Sequence, residues 1–399
     1  MIKAARLLIA VCLTASSLGL AGCWDSSELN KTSLLTGIAL EPGEHAKLRL
    51  TVETMMAKRP EESKDTTPSI VQSLEGNSLT DLLERFNESL DRSLLISHIG
   101  VIIIDERLAR QGIQQLLDPL QRTRFIREDV LVLISQGVHA SQIFKVLYPR
   151  NIQASSKIVS QLKSYRNSRG GVPQSRLYDA SEAFLAEGRE LILGSISLKG
   201  SSKDADKLES IKMVTPKSSI VISGAGIFSE DKLKGFISVD DSRMLMIVNN
   251  QVRETTISIP YHEYNAAIRL RHMHSDYQAV MDKGKVKIQV NLKADGIVAS
   301  IDDSIDITKV SGYEKLEKLG SDYLEQQITE TIRNIQKKFG MDVFGFGEQM
   351  FRSHYSQFAP LAGRWNEVFA SAPVTVKVKI RILRSELKTN HISNERIKP

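Results

Sequence analysis

The chain has 399 residues, 41% hydrophobic and 25% charged, a balance that excludes a disordered polyelectrolyte or a fibrous repeat. Its formal charge of +6 is a mild excess, and no Arg/Lys cluster is interleaved with aromatic residues, so nucleic acid is not an expected partner. Only two cysteines are present, which excludes a disulfide scaffold, and the length suggests two or three domains.

The first residues carry an export signal. Lys3 and Arg6 precede a mostly apolar run from Leu7 to Leu20, too short and too interrupted to span a membrane. Leu20-Ala21-Gly22-Cys23 then forms a lipobox. The Cys23 thiolate is the natural nucleophile for a diacylglyceryl group, and cleavage after Gly22 leaves the lipidated Cys23 as the new N-terminus. Two acyl chains matter, because one chain alone binds a membrane marginally. Residues 1–22 are therefore expected to leave, taking Cys12 with them. The mature chain carries a net charge of +4 once Lys3 and Arg6 are gone.

Further on, Ser33–Leu40 and Leu48–Thr54 predict two strands around Glu41-Pro42-Gly43-Glu44. Residues 58–69 are polar with two prolines and predict a loop. Ser78, with Asp81 three residues on, opens a helix whose apolar stripe is Leu79, Leu82, Leu83, Phe86 and Leu90. Ile99–Ile104 predicts a buried strand, Glu106–Leu120 a second helix and Asp129–Ile134 another buried strand. This alternation predicts an α/β-layered N-terminal region. Residues 151–176 read as a polar connection, Asp179–Arg189 as a short helix and Leu191–Leu193 as a short strand.

The resulting domain reading is 23–199 for an N-terminal domain, with a break near 151–176, then a linker over 200–212. A C-terminal domain follows over 213–387, and a polar tail over 388–399. In the C-terminal part, Ser219–Phe228 and Leu233–Val239 predict a hairpin with a four-residue connection. Strands are expected around Leu245–Val248, Thr256–Ile259, Lys285–Ala294 and Val374–Leu383. Tyr313–Phe339 predicts one long helix with Leu316, Leu319, Tyr323, Ile328, Ile332, Ile335 and Phe339 buried, closed by Gly340. The fold class is therefore α+β and multidomain, with an antiparallel C-terminal sheet packed against one long helix.

Catalytic patterns are missing from the sequence. It contains no Gly-x-Ser-x-Gly, no P-loop and no His-Glu-x-x-His. Gly345-Phe346-Gly347 lacks the third glycine of a dinucleotide fingerprint. His98 has no partner at a recognisable spacing and reads as structural. His272 and His274, with His262, form the best metal-like set, but no acid or thiolate is placed with them, so a polar surface pair is expected. Asp302-Asp303-Ser304-Ile305-Asp306 lacks the glycine and closing Glu of a calcium loop. Neither catalysis, a metal nor a cofactor is expected; the only non-protein group is the acyl lipid, of the palmitate type, on Cys23.

Two motif blocks resemble a known family. Gly22-Cys23-Trp24-Asp25, with Glu28-Leu29-Asn30, resembles the mature start of Ger(x)C proteins, the lipoprotein C subunits of nutrient germinant receptors in bacterial spores. Lys338-Phe339-Gly340-Met341-Asp342-Val343-Phe344-Gly345-Phe346-Gly347-Glu348, then Trp365-Asn366-x-x-Phe369 and the Val-rich strand, resembles the end of that family's C-terminal domain. The segments Gly226-Ile227-Phe228, Lys234-Gly235-Phe236, Ala109-Arg110-Gln111-Gly112 and Ile126-Arg127 fit as well. The last strand departs from the pattern, reading Arg381-Ile382-Leu383-Arg384 where an Arg-Arg pair often stands. The resemblance implies a non-enzymatic subunit on the outer face of the spore inner membrane. It implies partnership with A and B membrane subunits in germination. Asp342, Phe344, Phe346, Glu348, Arg352, Trp365 and Asn366 are the candidate cluster for interaction or for fixing domains. Two Phe between glycines fit a packed corner better than an exposed docking loop. The competing readings are a stand-alone extracytoplasmic solute-binding lipoprotein and an anchored enzyme.

Overall fold

The computed structural model describes residues 32–55, 69–89, 93–148, 152–201, 215–261, 264–301 and 305–385. Cys23 and the leader, residues 58–68 of the expected loop, Leu90, most of the expected linker, His262, Asp302–Ser304 and the tail lie outside them.

β1 (Thr32–Glu41) and β2 (Leu48–Met55) pair antiparallel, and β3 (Ser69–Gly76) adds to β2. In α1 (Leu79–Ser89) Ser78 Oγ accepts the Asp81 N–H at 3.4 Å, and Leu79, Leu82, Leu83 and Phe86 are buried. The short β4 (Ser93–Leu95) leads to β5 (Val101–Asp105), which is buried throughout. The helix expected over 106–120 is instead two: α2 (Glu106–Ala109) and α3 (Gln114–Arg122). Gly112, at φ 132°, divides them. There the Ile113 N–H donates to the Asp231 carbonyl at 3.0 Å rather than to its own turn.

β6 (Leu131–Ser135) and α4 (Ala140–Phe144) come next. The polar connection expected over 151–176 is corrected: it contains α5 (Ala154–Ser168), with Ile158 and Leu162 buried. Gln153 at its N-cap position does not cap the helix with its side chain. Buried Glu53 of β2 supplies the cap, accepting the Ala154 and Ser155 N–H groups at 2.9 and 3.0 Å. α6 (Leu177–Leu185) and β7 (Ile192–Gly200) follow.

The hairpin is β8 (Ser218–Ser229) and β9 (Lys232–Ile237). Its turn is the two residues Glu230 and Asp231, not four, because Glu230 takes the left-handed region at φ 54° and Ser229 pairs with Lys232. This hairpin joins the first sheet, whose order is β3-β2-β1-β5-β6-β7-β8-β9 with β4 beside β1. Strands β1, β5, β6 and β7 run parallel. Alternate residues on these strands feed opposite faces. Ile38, Leu40, Ile102, Ile104, Val132 and Ile134 meet the α1, α3 and α6 side. Ala39, Val101, Ile103 and Leu133 meet the α4 and α5 side.

The strand expected at Leu245–Val248 is a helix, α7 (Val239–Val248). Ser238 Oγ caps it by accepting the Asp241 N–H at 3.0 Å. A short apolar run does not distinguish a buried strand from a buried helix. The remaining elements are β10 (Glu254–Tyr261), β11 (Tyr264–Asp282), β12 (Lys285–Ser300), α8 (Val310–Lys338), α9 (Phe346–Ser353), α10 (Tyr355–Phe358), α11 (Trp365–Ser371) and β13 (Val374–Ser385). The second sheet runs β10-β11-β12-β13, antiparallel over its first three strands. β13 joins parallel to β12, since the chain returns through the α8–α11 crossover. The long α8 lays Leu316, Gly320, Leu324, Ile328, Ile332 and Ile335 on this sheet, and Gly340 ends it at φ 67°.

Candidate functional site

Seven candidate residues named from the sequence lie in and around the corner between α8 and α11. The corner turns on Asp342, which is fully buried. Its Oδ1 accepts the Phe344 and Gly345 N–H groups at 3.1 and 2.9 Å. Its Oδ2 accepts the Gly347 N–H at 2.8 Å and the Trp365 indole N–H at 2.9 Å. One carboxylate thus holds three backbone donors ahead of and within the first turn of α9, where the helix dipole favours negative charge. Burial pushes the Asp342 carboxyl up to about 6, against the pull of the Gly347 and Trp365 donors.

The two Phe point inward. Phe344 and Phe346 are buried with ring centroids 5.4 Å apart. Phe346 stacks on Phe369 at 6.2 Å and meets the Tyr277 edge at 5.7 Å. Two glycines allow this density. Gly345 sits at φ 82° before α9. A Cβ on Gly347 would lie 2.4 Å from the Trp365 indole nitrogen and 2.6 Å from the Gly188 carbonyl oxygen.

The contact with Gly188 shows what the corner reaches. Residues 188–190 connect α6 to β7 in the first sheet. The Glu190 N–H donates to the Asp342 carbonyl at 2.8 Å, and the Glu348 N–H to the Gly188 carbonyl at 3.2 Å. Asn366 Nδ2 donates to Glu190 Oε1 at 2.6 Å, while Asn366 Oδ1 accepts the Asp342 N–H at 3.3 Å. Glu190 Oε2 accepts the Glu230 N–H of the β8–β9 turn at 2.9 Å. Glu348 pairs with Arg189 at 3.0 Å and also with the exposed Arg352. Asp342, Glu348, Trp365 and Asn366 therefore bind the end of the second sheet's crossover to a loop of the first sheet. Arg352 stands at the outer edge, and Phe344 and Phe346 fill the core beneath.

Among the described residues, His272 and His274 do not converge on one site. His272 lies at the β11 irregularity, at φ 47°, and pairs with Asp295 at 3.2 Å. His274 pairs with Asp276 at 3.3 Å. His98 is exposed, with Nδ1 3.2 Å from Ser97 Oγ. A cluster that the sequence did not signal lies elsewhere: Glu41 and Asp105, both buried, approach His139. Its carboxylates are already engaged. Asp105 takes Arg107 Nε and Nη2 at 2.9 and 3.0 Å, and Glu41 takes the Ser141 hydroxyl at 2.9 Å. Arg107 also donates to His139 Nδ1 at 2.6 Å, so that nitrogen is an acceptor occupied by a cation's donor. The arrangement ties α2 and α4 to the ends of β5 and β1. Its residues are scattered over a hundred positions, and no local spacing could reveal it.

Comparison with known proteins places both halves. Residues 25–198 match the family described as spore germination protein N-terminal domain. Residues 223–386 match the family described as spore germination B3/GerAC like, C-terminal. Spore germination protein KC of Bacillus subtilis is 24% identical over 401 aligned positions, covering 98% of each chain. Spore germination protein B3 of the same organism is 19% identical, covering 92% of this chain and 94% of the relative. The crystal structure of the GerBC protein superposes with a TM-score of 0.55 at 16% identity, covering 90% of this chain and all of that one. With both halves matched in order, the chain belongs to the Ger(x)C family of spore germination proteins.

Proposed function

We propose that this protein is the lipid-anchored C subunit of a nutrient germinant receptor. In this reading it sits on the outer face of the spore inner membrane and acts by assembly with A and B membrane subunits rather than by catalysis. The observation that carries the reading is the match of both halves, in order, to spore germination families. The relatives named for spore germination cover the chain almost end to end. The family motif around Asp342 joins the two sheets, and its carboxylate is saturated by four donors, so this corner has a structural part in the subunit.

Attachment is assigned to Cys23, cleaved after Gly22 and acylated. Among the described residues no helix is long and apolar enough to cross a membrane. The test is fractionation of spores together with a germination assay. Wild-type protein is expected in the inner-membrane fraction with an acylated N-terminal Cys23, and Cys23→Ala in the soluble fraction with slowed nutrient germination. Wild-type protein that stays soluble, or a deletion strain that germinates normally on every nutrient, would overturn the reading.

A further inference from the structure

A cleft of 730 Å³ opens at the N-terminal ends of β5 and β6, between the sheet and α5. Val130, Leu131 and Leu133, with Val159 and Leu162 of α5, form an apolar patch in its wall, beside the polar Ser97, His98 and Ser175. Its rim is cationic. Lys163 and Arg166 come from α5, and Arg253 comes from the segment before β10, so both halves of the chain contribute. The volume lies within the range of sites for small organic ligands.

The cations of this rim lack direct carboxylate partners among the described residues, apart from Arg127. Asp129 is the acid of the lining, and both its oxygens are taken by Arg127, at 2.8 and 2.7 Å. Arg166 donates to the neutral Gln174 amide oxygen at 2.6 Å. Among the described residues neither Lys163 nor Arg253 has a carboxylate partner. Burial first, then the charges of Arg176 and Arg253, pull the Arg166 guanidinium below its ordinary value, and the charge of Asp179, itself paired with Arg176, opposes them only in part. Three cations thus converge beside an apolar patch where an anion would relieve their repulsion and desolvation. No Phe, Tyr or Trp lines the cleft; its one ring is the His98 imidazole at the rim.

We propose that this cleft binds a small organic anion, its carboxylate groups at Lys163, Arg166 and Arg253 and its compact apolar body on Val130, Leu131, Val159 and Leu162. The apolar patch sets the class. A free inorganic anion leaves those side chains in water, whereas a carboxylate with a hydrocarbon body covers them. Because Arg253 belongs to the C-terminal half and α5 to the N-terminal half, such a ligand bridges the two.

The test uses the full mature chain at low ionic strength, with phthalate as the probe, benzamide as its neutral counterpart and inorganic phosphate as its body-less counterpart. Binding is read by titration calorimetry and by methyl chemical shifts. Phthalate is expected to bind with shifts at Leu131 and Leu162, at least about tenfold more tightly than benzamide or phosphate. Lys163→Ala with Arg253→Ala, both at exposed positions, is expected to weaken phthalate about tenfold without moving the melting temperature. Arg253→Lys alone retains most of the affinity. Failure of phthalate to bind, equal binding of benzamide or phosphate, or an unchanged affinity in the double variant would each overturn the proposal.

Discussion

Asp342 shows how a single residue holds a corner and how its protonation sets stability. Replacing it with Ala strands three backbone N–H groups and the Trp365 indole in a dry interior. We expect Asp342→Ala to lose about 3–5 kcal/mol in urea unfolding, the range for breaking a buried charged network. Its pH dependence has a fixed sign. A native value of about 6 lies above the ordinary 3.8, so the folded chain holds the proton more tightly than the unfolded chain does. The linked stabilisation is fully present below about pH 4 and is lost as pH rises through about 6, amounting to about 3 kcal/mol. The difference in unfolding free energy between wild type and Asp342→Asn should follow that curve; a difference independent of pH between 4 and 7 would contradict it. Gly347→Ala should destabilise by about 3 kcal/mol, because its methyl meets the Trp365 ring and the Gly188 backbone. These residues were legible in the sequence as a motif with glycines around Phe. Their partners Gly188, Arg189 and Glu190 were not, since a loop more than a hundred and fifty positions away carries no local sign of where it will pack.

Elements were readable in proportion to how locally they are stabilised. The long helix α8 shows an unbroken stripe, and Leu324→Ala in that stripe should cost about 2–5 kcal/mol, measured as a shift in denaturant midpoint with unchanged slope. Strands such as β12 declare themselves by strict alternation, whose buried members are Val286, Ile288, Val290 and Leu292. Helix α5 is the opposite case. Its flanks are polar, its own N-cap is silent, and its first turn is held by Glu53 on β2. Glu53→Ala should therefore fray α5 first: amide exchange should accelerate at its first turn, with a loss of about 2–3 kcal/mol. Uniform acceleration across the first sheet would contradict that local role. Helix α7 was hidden for a different reason, because Leu245–Val248 is apolar throughout and gives no period. The break between α2 and α3 was hidden because the displaced hydrogen bond goes to Asp231 of a remote hairpin.

At the scale of the whole molecule, a buried corner joins the two sheets, and a cationic cleft takes its lining from both halves of the chain. The N-terminal sheet recruits the β8–β9 hairpin from beyond the 200–212 segment, so chain order and sheet membership part company there. The overall class was readable because strands and helices alternate in the first half, while the second carries alternating strands and one long helical stripe; the assembly of the halves was not, because it rests on Glu190, Asn366 and their long-range partners. The most direct measurement is affinity purification of the tagged full-length protein from detergent-solubilised spore membranes, followed by mass spectrometry, with Cys23→Ala alongside. Recovery of a polytopic membrane subunit and a second membrane subunit, reduced in the Cys23→Ala sample, is the predicted result; wild-type protein recovered from the membrane without any membrane partner would contradict it.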